Sequence, residues 1–326
     1  MKPKERMLAA LHFQEPEDRV PFWELEFQLY EELVGKSLVV GKDYAALSPA
    51  EKKKAINRNA ELMIEVVEYT GQSALFGIGG YWEVGPGEPA LLWLPDREAQ
   101  LDLIKALKRL VGDEYMLLGR AGTVPGVPSG PNIAEYCYRL YDHRDEMIEQ
   151  ARTNMENSIE WGKIQCDAGA DGVVMASDVA FNNGPFLPPD AIDDLITPNV
   201  YAWAQAFHDL DKVTIWHTDG NVEPIMDMVA DAGVTAMQAV DPVAGMDILA
   251  LKERFYGRLA LIGNLNCVTL QFGAPEEIDA ECERIINGCK AGGGYIFGCS
   301  NAVFKGIPIE SYKTALDAFA KYSAYH

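Results

Sequence analysis

Thr214-Ile215-Trp216-His217-Thr218-Asp219-Gly220 is an apolar run that delivers an imidazole and a carboxylate to its end, where a glycine stops it. The pattern recurs along the chain as a short apolar segment, a polar residue at its C-terminal end, and then a helix. Working outward from the quoted stretch, strands are predicted at 19–24, 73–78, 116–121, 172–176, 212–216, 236–240, 259–264 and 294–298. Between them the helical segments include 27–34, 97–110, 142–166, 223–232, 246–255 and 309–322. A longer helix begins at Ser48-Pro49-Ala50-Glu51, where Ser, Pro and Glu stand as a capping box with a proline at N1 requires. Parallel neighbours need crossovers of this length, and eight strand–helix units describe a (β/α)8 TIM barrel. The doubly wound alternative wants a Gly-rich turn after its first strand, and 20–33 contains none; nor is there a Walker-type phosphate loop. The expectation is one barrel domain over 1–326 with an N-terminal helical extension at 4–12.

Composition bounds the function classes. Hydrophobic residues make up 48% and charged residues 24%, an ordinary balance that buries a large core without a disulfide or structural metal. The 49 acidic residues against 28 basic ones give a net charge of -21, which argues against nucleic acid because counterion release needs clustered Lys and Arg. The start, Met1-Lys2-Pro3-Lys4-Glu5, has no apolar signal region, and no run reaches membrane-spanning length, so a cytoplasmic protein with no membrane partner is expected. Six cysteines lack the regular spacing of a secreted disulfide framework.

In a barrel the strand ends converge at one mouth, where such enzymes keep their catalysts. Here those ends supply Glu24, Arg120, Asp178, His217, Asp219, Asp241, Asn264, Cys267, Cys299 and Asn301. Imidazole and thiolate are the ligands zinc prefers, so His217, Cys267 and Cys299 form a candidate metal set. Their competing explanation is a hydrogen-bonded core histidine and small buried thiols. Asp219, two residues past His217 and on the same strand face, is either a further ligand or the group that orients the imidazole. Asp178 and Asp241 are candidate acid–base or substrate-anchoring groups, or else helix caps and turn initiators. Tyr81, Trp82, Phe181 and Phe186 either wall an apolar substrate pocket or plug the mouth. Arg120 is the one cation of this set, suited to a carboxylate or to a structural ion pair.

Several of these stretches together resemble the uroporphyrinogen decarboxylase superfamily. They are Lys4-Glu5-Arg6-Met7-Leu8-Ala9-Ala10-Leu11 with Asp18-Arg19-Val20-Pro21, His217-Thr218-Asp219-Gly220-Asn221, Leu261-Ile262-Gly263-Asn264-Leu265, and Gly292-Gly293-Gly294-Tyr295-Ile296-Phe297 with Gly306-Ile307-Pro308. The resemblance covers essentially the whole chain, is strongest from about residue 170 onward, and implies the same barrel. Decarboxylases of the superfamily carry an arginine-rich R-Q-A-G-R-type segment near the N-terminus that grips a polycarboxylate porphyrinogen. The corresponding Phe22-Trp23-Glu24-Leu25-Glu26-Phe27 is acidic and would repel that substrate. The resemblance therefore implies the other branch, methyltransferases that move a methyl group between a small molecule and a cobalamin-carrying corrinoid protein. Several of these use zinc bound by His-x-Cys and a later Cys. His217 and Cys299 match two of those positions, while Asp219 stands where the intervening Cys would be, which leaves three alternatives: Asp219 replaces the thiolate, Cys267 supplies it, or the site binds no metal. A methoxylated aromatic donor, as for an O-demethylase component, would suit the aromatic loops, with Asp178 and Asp241 positioning it.

Overall fold

A computed structural model of the chain describes residues 1–76, 94, 96–128 and 132–325, with the backbone alone at 81–82 and 91–92. Eleven strands are present among them: β1 (Ala74–Phe76), β2 (Tyr81–Trp82), β3 (Leu91–Leu92), β4 (Met116–Arg120), β5 (Gly172–Ala176), β6 (Ala180–Phe181), β7 (Gly184–Pro185), β8 (Val213–His217), β9 (Ala236–Ala239), β10 (Ala260–Gly263) and β11 (Tyr295–Ile296). Seven form one parallel sheet in the order β1-β4-β5-β8-β9-β10-β11, and β2–β3 and β6–β7 are short antiparallel pairs inserted after β1 and β5.

The predicted first strand, 19–24, is not a regular strand. It joins the two edges of the sheet through single bonds: Trp23 N–H donates to Phe297 O at 2.9 Å, Phe297 N–H to Pro21 O at 2.9 Å, and Ser73 N–H to Phe22 O at 2.7 Å. Pro21 has no N–H, so this segment cannot carry a full ladder. The sheet is nevertheless closed by it, and the ring has eight members.

Side-chain alternation confirms closure. One buried cluster takes Trp23, Ala74, Phe76, Met116, Leu118, Val174, Val213, Ile215, Ala236, Ala260, Ile262 and Ile296, that is, alternate residues from all eight ring members, and Met7, Ala10 and Leu11 of the helix Pro3–Leu11 cap it. The residues between them, including Phe22, Leu75, Leu117, Val173, Trp216, Met237, Leu261, Tyr295 and Phe297, belong to a second cluster shared with the outer helices. A strand buried on both faces reads as a continuous apolar run, which is why these segments are so visible in the sequence.

The helix beginning at Ser48 runs Pro49–Thr70, with Ser48 N–H donating to Glu51 Oε2 at 2.9 Å, as the capping box predicts. The expected helix at 27–34 is shorter, Tyr30–Val34. Its first residues are drawn into extended pairing instead, Gln28 N–H to Val303 O at 2.8 Å and Val303 N–H to Glu26 O at 2.9 Å. Among the described residues no helix is long and apolar enough to cross a membrane.

The seam has a sharp test. A Cβ at Gly298 would lie 2.2 Å from the carbonyl oxygen of Trp23, a backbone atom of the closing segment. Gly298→Ala should therefore destabilise the protein by about 1–3 kcal/mol, the usual cost of forcing a methyl into a packed interior. Denaturant midpoints of the two proteins check this, and an unchanged midpoint would mean that the seam does not hold the barrel closed.

Candidate active site

The inward-facing alternation carries past the apolar layers to the strand ends. Two residues beyond Ile215 is His217, two beyond Ala236 is Gln238, two beyond Ile262 is Asn264, and two beyond Leu118 is Arg120. His217 is buried, and its Nε2 lies 3.9 Å from Asp178 Oδ1 and 3.9 Å from Asp219 Oδ1. Candidate ligand atoms of Asp178, His217 and Asp219 all lie within 4.8 Å of one another. One imidazole and two carboxylates match in kind and number the three protein ligands of a catalytic zinc site with an open position. The donor set therefore fits a divalent ion.

Backbone bonds fix the carboxylates. Asp178 Oδ1 accepts from Asp219 N–H at 3.0 Å, and Asp241 Oδ2 accepts from Gly220 N–H at 3.1 Å. Asp219 Oδ2 accepts from the Asn301 amide at 2.6 Å. Gly220 has φ +84°, and a Cβ there would meet the Ala180 carbonyl at 2.6 Å, so only glycine lets the β6 hairpin close over this turn. Burial raises the Asp219 carboxyl above the ordinary carboxylate range. His217 opposes that rise, the charges of Asp178 and Asp241 add to it, and the Asn301 amide opposes it.

Gln238 is a participant that reading strand ends for metal ligands and acids passes over, whereas Asn301, one of the strand-end residues, is the amide that holds Asp219. The Gln238 Oε1 sits against His217 Nδ1, and its Nε2 donates to Cys299 O at 3.1 Å. The i, i+2 rule that finds His217 two beyond Ile215 finds Gln238 two beyond Ala236 in the same way. The corner after Gln238 is strained: Ala239 and Val240 adopt φ of +92° and +46°, and the Asn264 amide holds the Val240 carbonyl at 2.5 Å.

The two thiols occupy a different layer. Cys299 is fully buried among the outer-face residues; its N–H donates to Glu24 Oε2 at 2.9 Å and its Sγ to Glu24 Oε1 at 3.3 Å. Cys267 opens the helix Cys267–Phe272, half-buried, with Sγ 3.7 Å from Ala302 O and 3.9 Å from Ser300 Oγ. A hydrogen bond from Cys299 leads the causes that hold the Cys267 thiol below its ordinary value, whereas burial pushes Cys299 up. Neither sulfur belongs to the group around His217 Nε2.

Of the expected substrate-contacting residues, Phe181 is exposed on β6, edge-on to Phe186 at 5.6 Å, and its carbonyl accepts from Asn221 N–H at 2.9 Å. It stands three residues beyond Asp178, at the same mouth. Arg120 ends β4, half-buried, its backbone held on both sides by the Gln165 amide at 2.8 and 2.9 Å. The side chains of Tyr81 and Trp82 lie outside the described residues.

Comparison with known proteins gives three findings. The uroporphyrinogen decarboxylase (URO-D) family profile matches residues 99–322, over two-thirds of the chain. Curated relatives include a uroporphyrinogen decarboxylase of Pseudoalteromonas atlantica, 29% identical over half of this chain and 44% of its own length. Another, from Actinobacillus pleuropneumoniae, is 23% identical over 99% of this chain and 98% of its own length. Among solved structures, a methyltransferase from Methanosarcina mazei shares the fold with a TM-score of 0.69 at 20% identity over 99% of both chains. A B12-independent methionine synthase from a Shewanella species is similar at TM-score 0.51, 12% identity, over 93% of this chain and 94% of that one.

The Glu24 carboxyl behind the mouth gives a measurable pH signature. Burial pushes it up to about 8, against the lowering effect of its bonds from Cys299 and Tyr312. The unfolded chain would lose this proton near the ordinary carboxylate value while the folded one keeps it. Glu24 therefore contributes stability that is fully present below pH 4.5 and is lost as pH rises toward 8, by at most about 1.4 kcal/mol per pH unit. Glu24→Gln should flatten that part of the pH–stability curve, read from urea midpoints between pH 5 and about 8; an equally steep curve in the variant would assign the slope to other groups.

Proposed function

This chain belongs to the uroporphyrinogen decarboxylase family, and within it we propose a methyltransferase that moves a methyl group between a small molecule and the cobalamin of a corrinoid protein. The observation that carries the reading is the charge of the mouth. Asp178 and Asp219 flank His217 with Asp241 beside them, and the segment 22–27, where a porphyrinogen decarboxylase grips carboxylates with arginine, contains no arginine. A polycarboxylate would be repelled there, whereas a neutral methyl donor would not. The fold shared with the Methanosarcina methyltransferase supports the same branch.

On this reading His217, Asp178 and Asp219 hold a zinc ion, with Cys267 and Cys299 behind them in the wall. Zinc held there supplies Lewis-acid polarisation of the oxygen that carries the methyl group. The remaining work belongs to the chain. Asp241 keeps the Gly220 turn, and so Asp219, in register through its bond from the Gly220 amide. Phe181, backed by Phe186, offers an apolar wall for the body of a methoxylated aromatic and keeps water from it. Arg120, on the inner face at the end of β4, suits a single carboxylate on such a donor. The protein acts in the cytoplasm with the corrinoid protein as its partner.

The test is methyl transfer to cob(I)alamin, free or carried by a corrinoid protein, from methoxylated aromatics and simple alcohols. Wild type should methylate the corrinoid with at least one donor, and His217→Ala and Asp219→Asn should lose at least about a hundredfold of that rate. Decarboxylation of a porphyrinogen with no methyl transfer from any donor would replace this reading with the decarboxylase named for the curated relatives.

A further inference from the structure

A buried hydrogen-bond path crosses the barrel wall from the outer layer to the imidazole at the mouth. It begins at Glu24, whose Oε2 receives the Cys299 N–H at 2.9 Å and whose Oε1 lies 3.4 Å from the Tyr312 hydroxyl. It continues through the Cys299 carbonyl, which accepts from Gln238 Nε2 at 3.1 Å, and ends where Gln238 Oε1 meets His217 Nδ1. Glu24, Gln238, His217 and Cys299 are all buried, so water does not compete for these bonds.

The chemistry of this path leaves one arrangement. A backbone carbonyl only accepts, so the amide group of Gln238 must turn its NH2 toward Cys299 and its oxygen toward His217. An oxygen facing Nδ1 requires Nδ1 to carry the proton, since two acceptors in contact would repel. In the neutral ring Nε2 then holds the lone pair, and it is this atom that faces Asp178 and Asp219 at 3.9 Å. Free imidazole favours the opposite tautomer, with the proton on Nε2, so the arrangement has to be imposed.

We propose that Gln238 is the positioning residue of this site: oriented by the Cys299 carbonyl and through it by Glu24, it fixes the His217 tautomer that presents a bare Nε2 to Asp178 and Asp219. The inference gives Cys299 a role through its backbone, and its geometry stands independently of the proposed reaction; its use in holding a metal rests on that reading. The strained corner at Ala239 and Val240 follows from the same demand, because Gln238 must reach His217 from β9 while Asp241, three residues on, reaches back to Gly220.

The experiment is 15N spectroscopy of the imidazoles in histidine-labelled protein, with the His217 signals assigned by their loss in His217→Asn, combined with zinc affinity by chelator competition. In the wild type the neutral ring should carry its proton on Nδ1. Gln238→Leu should move proton density to Nε2 and weaken zinc about ten- to a hundredfold with an unchanged circular dichroism spectrum, whereas Gln238→Glu, which keeps an acceptor at Nδ1, should retain the wild-type tautomer. A wild-type proton on Nε2, or the same proton placement in Gln238→Leu as in wild type, overturns the proposal. Should Gln238→Leu fail to fold, the wild-type and Gln238→Glu spectra still decide it. An Nδ1 proton in a wild-type protein that binds no zinc upholds the relay and removes the metal from the proposed function instead.

Discussion

The mouth of this barrel depends on how Pro21, Phe22 and Trp23 close the sheet. A closed ring leaves no edge strand, and it also divides every strand residue into inward and outward sets without exception. Because the closing segment contains proline, it can accept from Phe297 at Pro21 but cannot donate there, and closure is made by isolated bonds rather than a ladder. The Gly298 backbone passes so near the Trp23 carbonyl that the seam tolerates no side chain. Closure here is a matter of backbone contact, and the phase of the alternation in this segment is set by it.

That phase decides which polar groups meet. Trp23 and Leu25 face inward, so Glu24 faces outward, toward Tyr312 and the layer of helices. Tyr295, Phe297 and Cys299 share the outward set on the other side of the seam, which brings a carboxyl and a thiol together in a dry environment. A carboxyl buried there keeps its proton far above its ordinary range because its charged form has lost water. On the inward face, His217 and Gln238 come from neighbouring strands, β8 and β9, paired at that position, and their side chains meet directly.

The mouth itself is assembled from like charges. Asp178 and Asp241 are held by the backbone amides of Asp219 and Gly220, and the Asp219 carboxylate by the side-chain amide of Asn301, so one turn gathers all three. Such a group is costly without a cation or a proton; burial first, with the charges of Asp178 and Asp241 adding to it, holds the Asp219 carboxyl above its ordinary range. Preorganised negative charge beside a buried imidazole is the kind of site in which one added cation changes every local equilibrium.

Much of this was legible in the sequence. Apolar runs buried on both faces, each followed by a polar residue and a helix, specify a parallel barrel, and the capping box at Ser48 and Glu51 marks a helix start because its signal is local. His217, Asp178, Asp219 and Asp241 could be collected from strand ends for the same reason, since the end of a strand is a property of its own few residues. What the sequence could not contain is the face of an irregular segment. The run 19–24 reads as a strand ending in an acid at the mouth, yet Glu24 turns to the outer layer, because its phase is set by Phe297 and Ser73, far away in the chain. The same holds for the thiols: imidazole and sulfur are compatible by type, but the alternation puts Cys299 on the side of the wall that His217 does not face. Residue chemistry and local periodicity were determined by the sequence alone; the tertiary structure decided which side of a closed wall each group occupies, because only closure fixes the register of segments nearly three hundred residues apart.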